Sequence, residues 1–257
     1  KKILHKDSKY KNAYNSLGLI YKHIGNTEEA IKNFEKALVV DDKYFESYNN
    51  LGLIYKNLNK KQKAIENYKK ALDINPNYYN ALNNLGILLY EIGEFNESIK
   101  YFKIALVINP NLTEVYCNIG LVYEKIGNLK EALKSYQKVY ESDKNFVQAQ
   151  YNLATLIYKD KQYSKAAEIF KNLEFKNSKT FLVKIFFELN DKDSFLKNLD
   201  VETKKGTTNA IIGSLITSSK IKYGIEKKNL FCEKPLDYVY TKNLNTDINF
   251  KDIFIKT

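Results

Sequence analysis

Asparagine returns every 34 residues, at Asn50, Asn84, Asn118 and Asn152, with Ser16 in the first place of the same column. The residue before each is Asn15, Asn49, Asn83, Cys117 and Tyr151. A carboxamide carries a donor and an acceptor together, which matches the pair presented by a peptide bond. A ladder of such groups can hold an extended peptide by its backbone, at about 1 kcal/mol per bond and without reading its sequence. The same amides can instead bond between neighbouring helices and serve structure alone. The chain holds 30 asparagines, so part of the column belongs to composition. Beside it stand Tyr90, Glu91, Glu124, Lys125 and Tyr158, which add selectivity if a ligand is present and form a solvated rim if not.

Other chemistry is thinly supplied. The histidines are His5 and His23. Neither a two-histidine metal triad nor a Ser–His–Asp system can be assembled from them. Cys117 and Cys232 form neither a disulfide framework nor a zinc site. The glycines at 206, 213 and 224 are isolated, so no phosphate-cradling loop is present. No catalytic residue, metal or cofactor is expected.

The net charge of +11 comes from lysine alone, since the 41 basic residues include no arginine. Base readout and bidentate phosphate contacts lean on the arginine fork. The lysines are also spread along the chain, so nucleic acid is not the expected partner. No run of about 18 apolar residues occurs, and a membrane span is not expected either. Two unpaired cysteines and no apolar leader segment favour the cytoplasm.

The elements that position these residues follow from the same period. Gly18, Gly52, Gly86, Gly120 and Ala154 are each 34 residues apart. Twelve residues on come Ala30, Ala64, Ser98, Ala132 and Ala166, and four further Phe34, Tyr68, Phe102, Tyr136 and Phe170. Small residues at fixed points with one aromatic per unit are what two closely packed antiparallel helices need. Each unit therefore reads as an A helix, a short turn and a B helix, near Tyr44–Asn57 and Lys61–Ile74 in the second unit. Gly25, Gly93 and Gly127, and Asn59 in their place, fall where the A–B turn needs a left-handed backbone. Pro76 and Pro110 close two B helices.

This pattern resembles the tetratricopeptide repeat over about residues 9–174, in five consecutive units. The resemblance implies an all-α fold, a right-handed α-solenoid whose stacked helix pairs bury a continuous core. It also implies that A helices line an inner groove, which makes Asn49, Asn50, Asn83, Asn84, Tyr90, Asn118, Asn152 and Tyr158 the candidate peptide-binding residues and a protein or peptide the partner. The column is similar to the asparagine ladder of protein O-GlcNAc transferases. Repeats that clamp a C-terminal carboxylate carry a cation where this chain has Asn15, Asn49, Asn83, Cys117 and Tyr151, so that function is not expected. With no arginine, capture of phosphopeptides by an arginine cluster is not expected either.

The ends read differently. Residues 1–10 align with 69–78, so the chain is expected to open inside the B helix of an earlier repeat, residues 1–8 being its end. Residues 175–208 read as a degenerate helix pair, Ser178–Asn190 and Lys192–Leu199, with Val201–Thr208 as a connector. Residues 209–257 read as one further helix, Asn209–Gly224, apolar through Ile211, Ile212, Leu215 and Ile216, followed by a linker. The stretch Phe231-Cys232-Glu233-Lys234-Pro235-Leu236-Asp237 resembles the segment joining tetratricopeptide repeats to a 2-oxoglutarate/Fe(II) oxygenase-like domain in bacterial proteins. That resemblance makes a substrate-recruiting part of a larger enzyme the alternative function. A simple cap on the solenoid is the other reading of the same residues.

Overall fold

The computed structural model describes residues 8–205, 210–224 and 227. Among these residues every regular element is a helix: α1 Ser8–His23, α2 Thr27–Val40, α3 Phe45–Asn57, α4 Lys61–Ile74, α5 Tyr79–Glu91, α6 Phe95–Ile108, α7 Thr113–Lys125, α8 Leu129–Ser142, α9 Val147–Lys159, α10 Tyr163–Lys171, α11 Ser178–Glu188, α12 Lys192–Lys204 and α13 Ala210–Tyr223. They fall into two compact units, Lys1–Phe146 and Val147–Thr257.

In the first unit four antiparallel pairs follow one another, α1/α2 to α7/α8, and α2, α4 and α6 also pack on the A helix after them. The closeness of each pair is set by the small residue of the A helix. A β-carbon on Gly86 would stand 2.6 Å from the Phe102 ring, and one on Gly52 would stand 2.5 Å from the Tyr68 ring. The A–B turns need a backbone with positive φ. Gly93 supplies it at 89° and Asn59 at 57°, as the sequence leads one to expect. In the second unit Lys161 takes that place at 60° and Asn190 at 58°.

The core of the first unit runs as apolar layers between a B helix and the next A helix. Ala30 and Phe34 cluster with Leu51 and Ile54, and Ala64 and Tyr68 with Leu85 and Leu88. The equivalent residues of the first A helix are open: Leu17 is 42% exposed and Ile20 56%, against 4% for Leu51 and 2% for Ile54. At the other seam the A helices touch one another directly, α1 on α3, α3 on α5 and α5 on α7. This second seam holds the asparagine columns.

In the second unit α9–α13 share one core, with Phe170, Phe195, Leu199 and Ile212 fully enclosed or nearly so. Two expectations change here. Helix α12 continues to Lys204, beyond Leu199, so Val201–Lys204 is helix and not connector. The reason is a buried stripe at helical spacing, Phe195, Leu199 and Glu202, which keeps the last turn against its neighbours. In α13 the apolar side is Ile212, Leu215 and Ile216, while Ile211 lies 38% exposed. The segment that resembles an oxygenase connector, Phe231–Asp237, lies outside the described residues, as do residues 1–7.

Candidate functional site

The asparagine columns are brought together as a ladder between A helices of the first unit. Asn50 Nδ2 donates to Asn15 Oδ1 at 2.9 Å, Asn84 Nδ2 to Asn49 Oδ1 at 2.9 Å, and Asn118 Nδ2 to Asn83 Oδ1 at 3.1 Å. Each rung joins residues 35 apart. That offset is one repeat plus one residue, because adjacent A helices set the second column of one against the first column of the next. Ser47 Oγ adds a second donor to Asn15 Oδ1 at 3.2 Å. The second rung has an acceptor almost out of water, since Asn49 is 5% exposed. Asn83, Asn84 and Asn118 are half-buried.

A rung consumes one N–H of the donor amide and one lone pair of the acceptor. Each donor asparagine keeps its second N–H and its own carbonyl oxygen. Asn83 also points its amide toward Glu114 Oε1 at 3.5 Å, the long end of a hydrogen bond. The ladder is thus first a seam between helices, and what it offers to a ligand is the remaining half of each amide.

The same face continues along each A helix in steps of three or four residues. Glu46 precedes the rung of α3 by one turn, and Leu53 follows it by one. Ile87 holds the place of Leu53 on α5; both are half-buried. One turn further, Lys56 Nζ reaches across to Glu91 Oε1 at 2.8 Å. The face therefore runs from carboxylate to amide to aliphatic to ion pair. None of Glu46, Leu53 or Ile87 is singled out by residue type in the sequence, and only their register with the asparagines marks them.

The remaining candidates behave differently. Tyr90 is half-buried against Phe95, with ring centroids 5.9 Å apart. Asn152 and Tyr158 belong to the second unit. Gln148 Nε2 donates to Asn152 Oδ1 at 2.8 Å. Tyr158 packs tilted against Tyr163 and edge-on against Phe181, and Lys184 Nζ lies 5.2 Å from its ring centre. Burial pushes the Tyr158 phenol up from its ordinary range. Cys117 is buried in α7. His23 is exposed, and no group of three metal-ligating side chains occurs among the described residues. No described helix is long and apolar enough to cross a membrane.

Family models described as tetratricopeptide repeat match residues 45–78, 77–145 and 117–178, and a further TPR repeat model matches 18–59. Together they run without a gap over more than half of the chain. The chain belongs to the tetratricopeptide repeat family. A comparison with curated protein sequences found no match. Among solved tetratricopeptide structures, PilF of Pseudomonas aeruginosa superposes with a TM-score of 0.71 at 22% identity, over 82% of this chain and 98% of that one. PilW, described as a widely conserved type IV pilus biogenesis factor, gives 0.66 at 21% identity, over 80% and 97%. YrrB, described as a TPR protein with an unusual peptide-binding site, gives 0.52 at 22% identity, over 70% and 90%. At these identities the likeness establishes the tetratricopeptide fold, and the chemistry of this chain must come from its own residues.

Proposed function

We propose that the chain is a protein-interaction module whose first unit binds an extended segment of a partner protein along the A-helix face. The observation that carries this reading is the half-spent ladder. Asn84 and Asn118 are fixed by their rungs, half-buried, and each retains one donor and one acceptor, the pair that a peptide bond presents. Side chains held by packing and by hydrogen bonds lose little entropy on binding, which favours affinity. Asn50, at 9% exposed, contributes more to the seam than to the ligand. Leu53 and Ile87 beside the rungs supply apolar surface for a partner's side chain. The description of YrrB as a peptide-binding tetratricopeptide protein agrees with this reading. Cys117, a thiol enclosed in α7, fits the cytoplasm expected from the cysteine usage.

The test is site-specific photocrosslinking with a degenerate dodecapeptide pool. A benzoylphenylalanine at Asn80, exposed on the A helix α5, should capture peptide; the same group at Lys100, exposed on the B helix α6, should not. Equal capture at both positions, or capture at Lys100 alone, would refute the assignment of the face.

A further inference from the structure

Charge is unevenly balanced on three helices of the second unit. Along α9, α11 and α13 stand Lys159, Lys179, Lys184, Lys220 and Lys222, against Glu188 alone. Lys179 has Glu174 at 3.5 Å, but among the described residues no carboxylate pairs with Lys184 or Lys222. Glu188, one turn after Lys184, is exposed. Both lysines lie over aromatic rings instead. Lys184 Nζ stands 5.2 Å from the centre of the Tyr158 ring, and Lys222 Nζ 4.3 Å from that of Phe187. Lys222 Nζ also donates to Phe187 O at 2.8 Å. Phe187 follows Lys184 by three residues, which puts the two on one side of α11. Tyr158, Lys184, Phe187 and Lys222 thus form one run across the three helices. None of the four is enclosed: Lys222 is exposed and the others are half-buried.

That chemistry selects an anion. A ring beneath an ammonium group restrains it without neutralising its charge, so less side-chain freedom is lost when an anion binds. After its bond to Phe187 O, Lys222 keeps two N–H donors. A single-stranded nucleic acid would add stacking of its bases on open rings. Here the rings already have neighbours besides the lysines: Tyr158 packs on Tyr163 and Phe181, and Phe187 on Phe195 and Tyr223. Acidic side chains need only the ammonium groups, and so match what this surface offers.

We propose that α9, α11 and α13 form a docking surface for an acidic segment of a partner protein, with Lys184 and Lys222 pairing with its Asp or Glu carboxylates. The surface uses none of the asparagine rungs of the first unit. It goes beyond the function proposed above and would stand if the ladder bound nothing. Glu188, on the same side of α11 as Lys184, repels an incoming carboxylate and limits the affinity.

Fluorescence anisotropy of the full chain tests it with three labelled probes: a dodecapeptide alternating Glu and Ser, its counterpart with Gln for Glu, and an oligothymidylate of the same length. At low salt the wild type should bind the Glu peptide at least about tenfold more tightly than the Gln peptide. Lys184→Gln with Lys222→Gln should remove most of that difference while keeping the melting curve, and Glu188→Gln should enlarge it. Lys197→Gln with Lys204→Gln takes the same charge from exposed positions of α12 and should change the difference far less. Equal binding of the Glu and Gln peptides by the wild type would overturn the proposal. Equal losses in the two lysine pairs would do the same, since the attraction would then be one of net charge. Tighter binding of the oligothymidylate than of the Glu peptide would overturn it in favour of a nucleic acid.

Discussion

Replacing Asn84 by alanine should destabilise the chain more than replacing Asn50, although the two occupy the same column. In the Asn84 variant the acceptor left behind is Asn49 Oδ1, on a residue 5% exposed whose oxygen receives this one rung at 2.9 Å. Stranding a buried acceptor costs roughly 1–3 kcal/mol. Alanine returns up to about 0.7 kcal/mol through its better helix propensity, so the net loss is about 1–2 kcal/mol. In the Asn50 variant the acceptor is Asn15 Oδ1, which keeps Ser47 Oγ at 3.2 Å. The cost there is one ordinary hydrogen bond, about 1 kcal/mol, largely offset by the same propensity gain. Urea unfolding followed by circular dichroism reads the difference. With an m-value of roughly 2 kcal/mol/M the Asn84 variant should lose about 0.5–1 M in midpoint, and the Asn50 variant under about 0.3 M. Equal losses, or a larger loss at Asn50, would refute the account of the ladder as a set of inter-helix bonds with unequal reserves.

Gly86→Ala sets a propensity gain of about 1 kcal/mol against overpacking of about 1–3 kcal/mol, since the new β-carbon meets the buried Phe102 ring at 2.6 Å; a lower melting temperature is expected. Tyr68→Phe should be neutral or stabilising by about 1 kcal/mol because its hydroxyl is buried without a partner, whereas Tyr136→Phe removes a bond to Glu124 Oε2 at 3.4 Å and should cost stability in the same melt. Burial, with Glu91 adding, holds the Tyr68 phenol far above its unfolded value of 10, so its contribution is complete below pH 10 and declines as pH rises beyond it. Urea midpoints from pH 8 to 11 should show that decline, and Tyr68→Phe should make it shallower. Leu51→Ala should cost about 2–5 kcal/mol and Leu17→Ala under about 1 kcal/mol, although both stand one residue before a repeat glycine, because Leu17 is 42% exposed and Leu51 4%. Comparable losses in paired denaturation curves would show that the α1 face is covered in solution.

The helix pairs were legible because their spacing is mechanical. A glycine every 34 residues, facing an aromatic sixteen later, can be satisfied only by two helices pressed together, and α4 runs over Lys61–Ile74 as that spacing requires. Where a turn residue has a conformational specialism the turn was legible too, as at Gly93 and Asn59. Lys161 was not, because lysine has no preference for positive φ and is held there by the helices on either side. The end of α12 was misread for a similar reason. Val201–Lys204 looks like a polar connector, yet burial of Glu202 beside Phe195 and Leu199 carries the helix through it. At the site, the sequence shows two asparagine columns but not that they bond to each other at an offset of 35. That offset follows from A helices lying side by side, a tertiary fact. Glu46 was silent altogether: a glutamate in a first helical turn is ordinary, and only the enclosure of one of its oxygens sets it apart.

The central claim is that Asn83, Asn84 and Asn118 hold a peptide with the amide capacity their rungs leave over. Side-chain amide signals of a sample labelled with nitrogen-15 at asparagine read this directly. On addition of the degenerate dodecapeptide pool, the signals of Asn83, Asn84 and Asn118 should shift and exchange more slowly with water. Asn67, bonded to Lys63 O at 2.8 Å on the B helix α4, should not move. Unchanged ladder signals in the presence of bound peptide, or shifts confined to B-helix asparagines such as Asn67, would contradict the account.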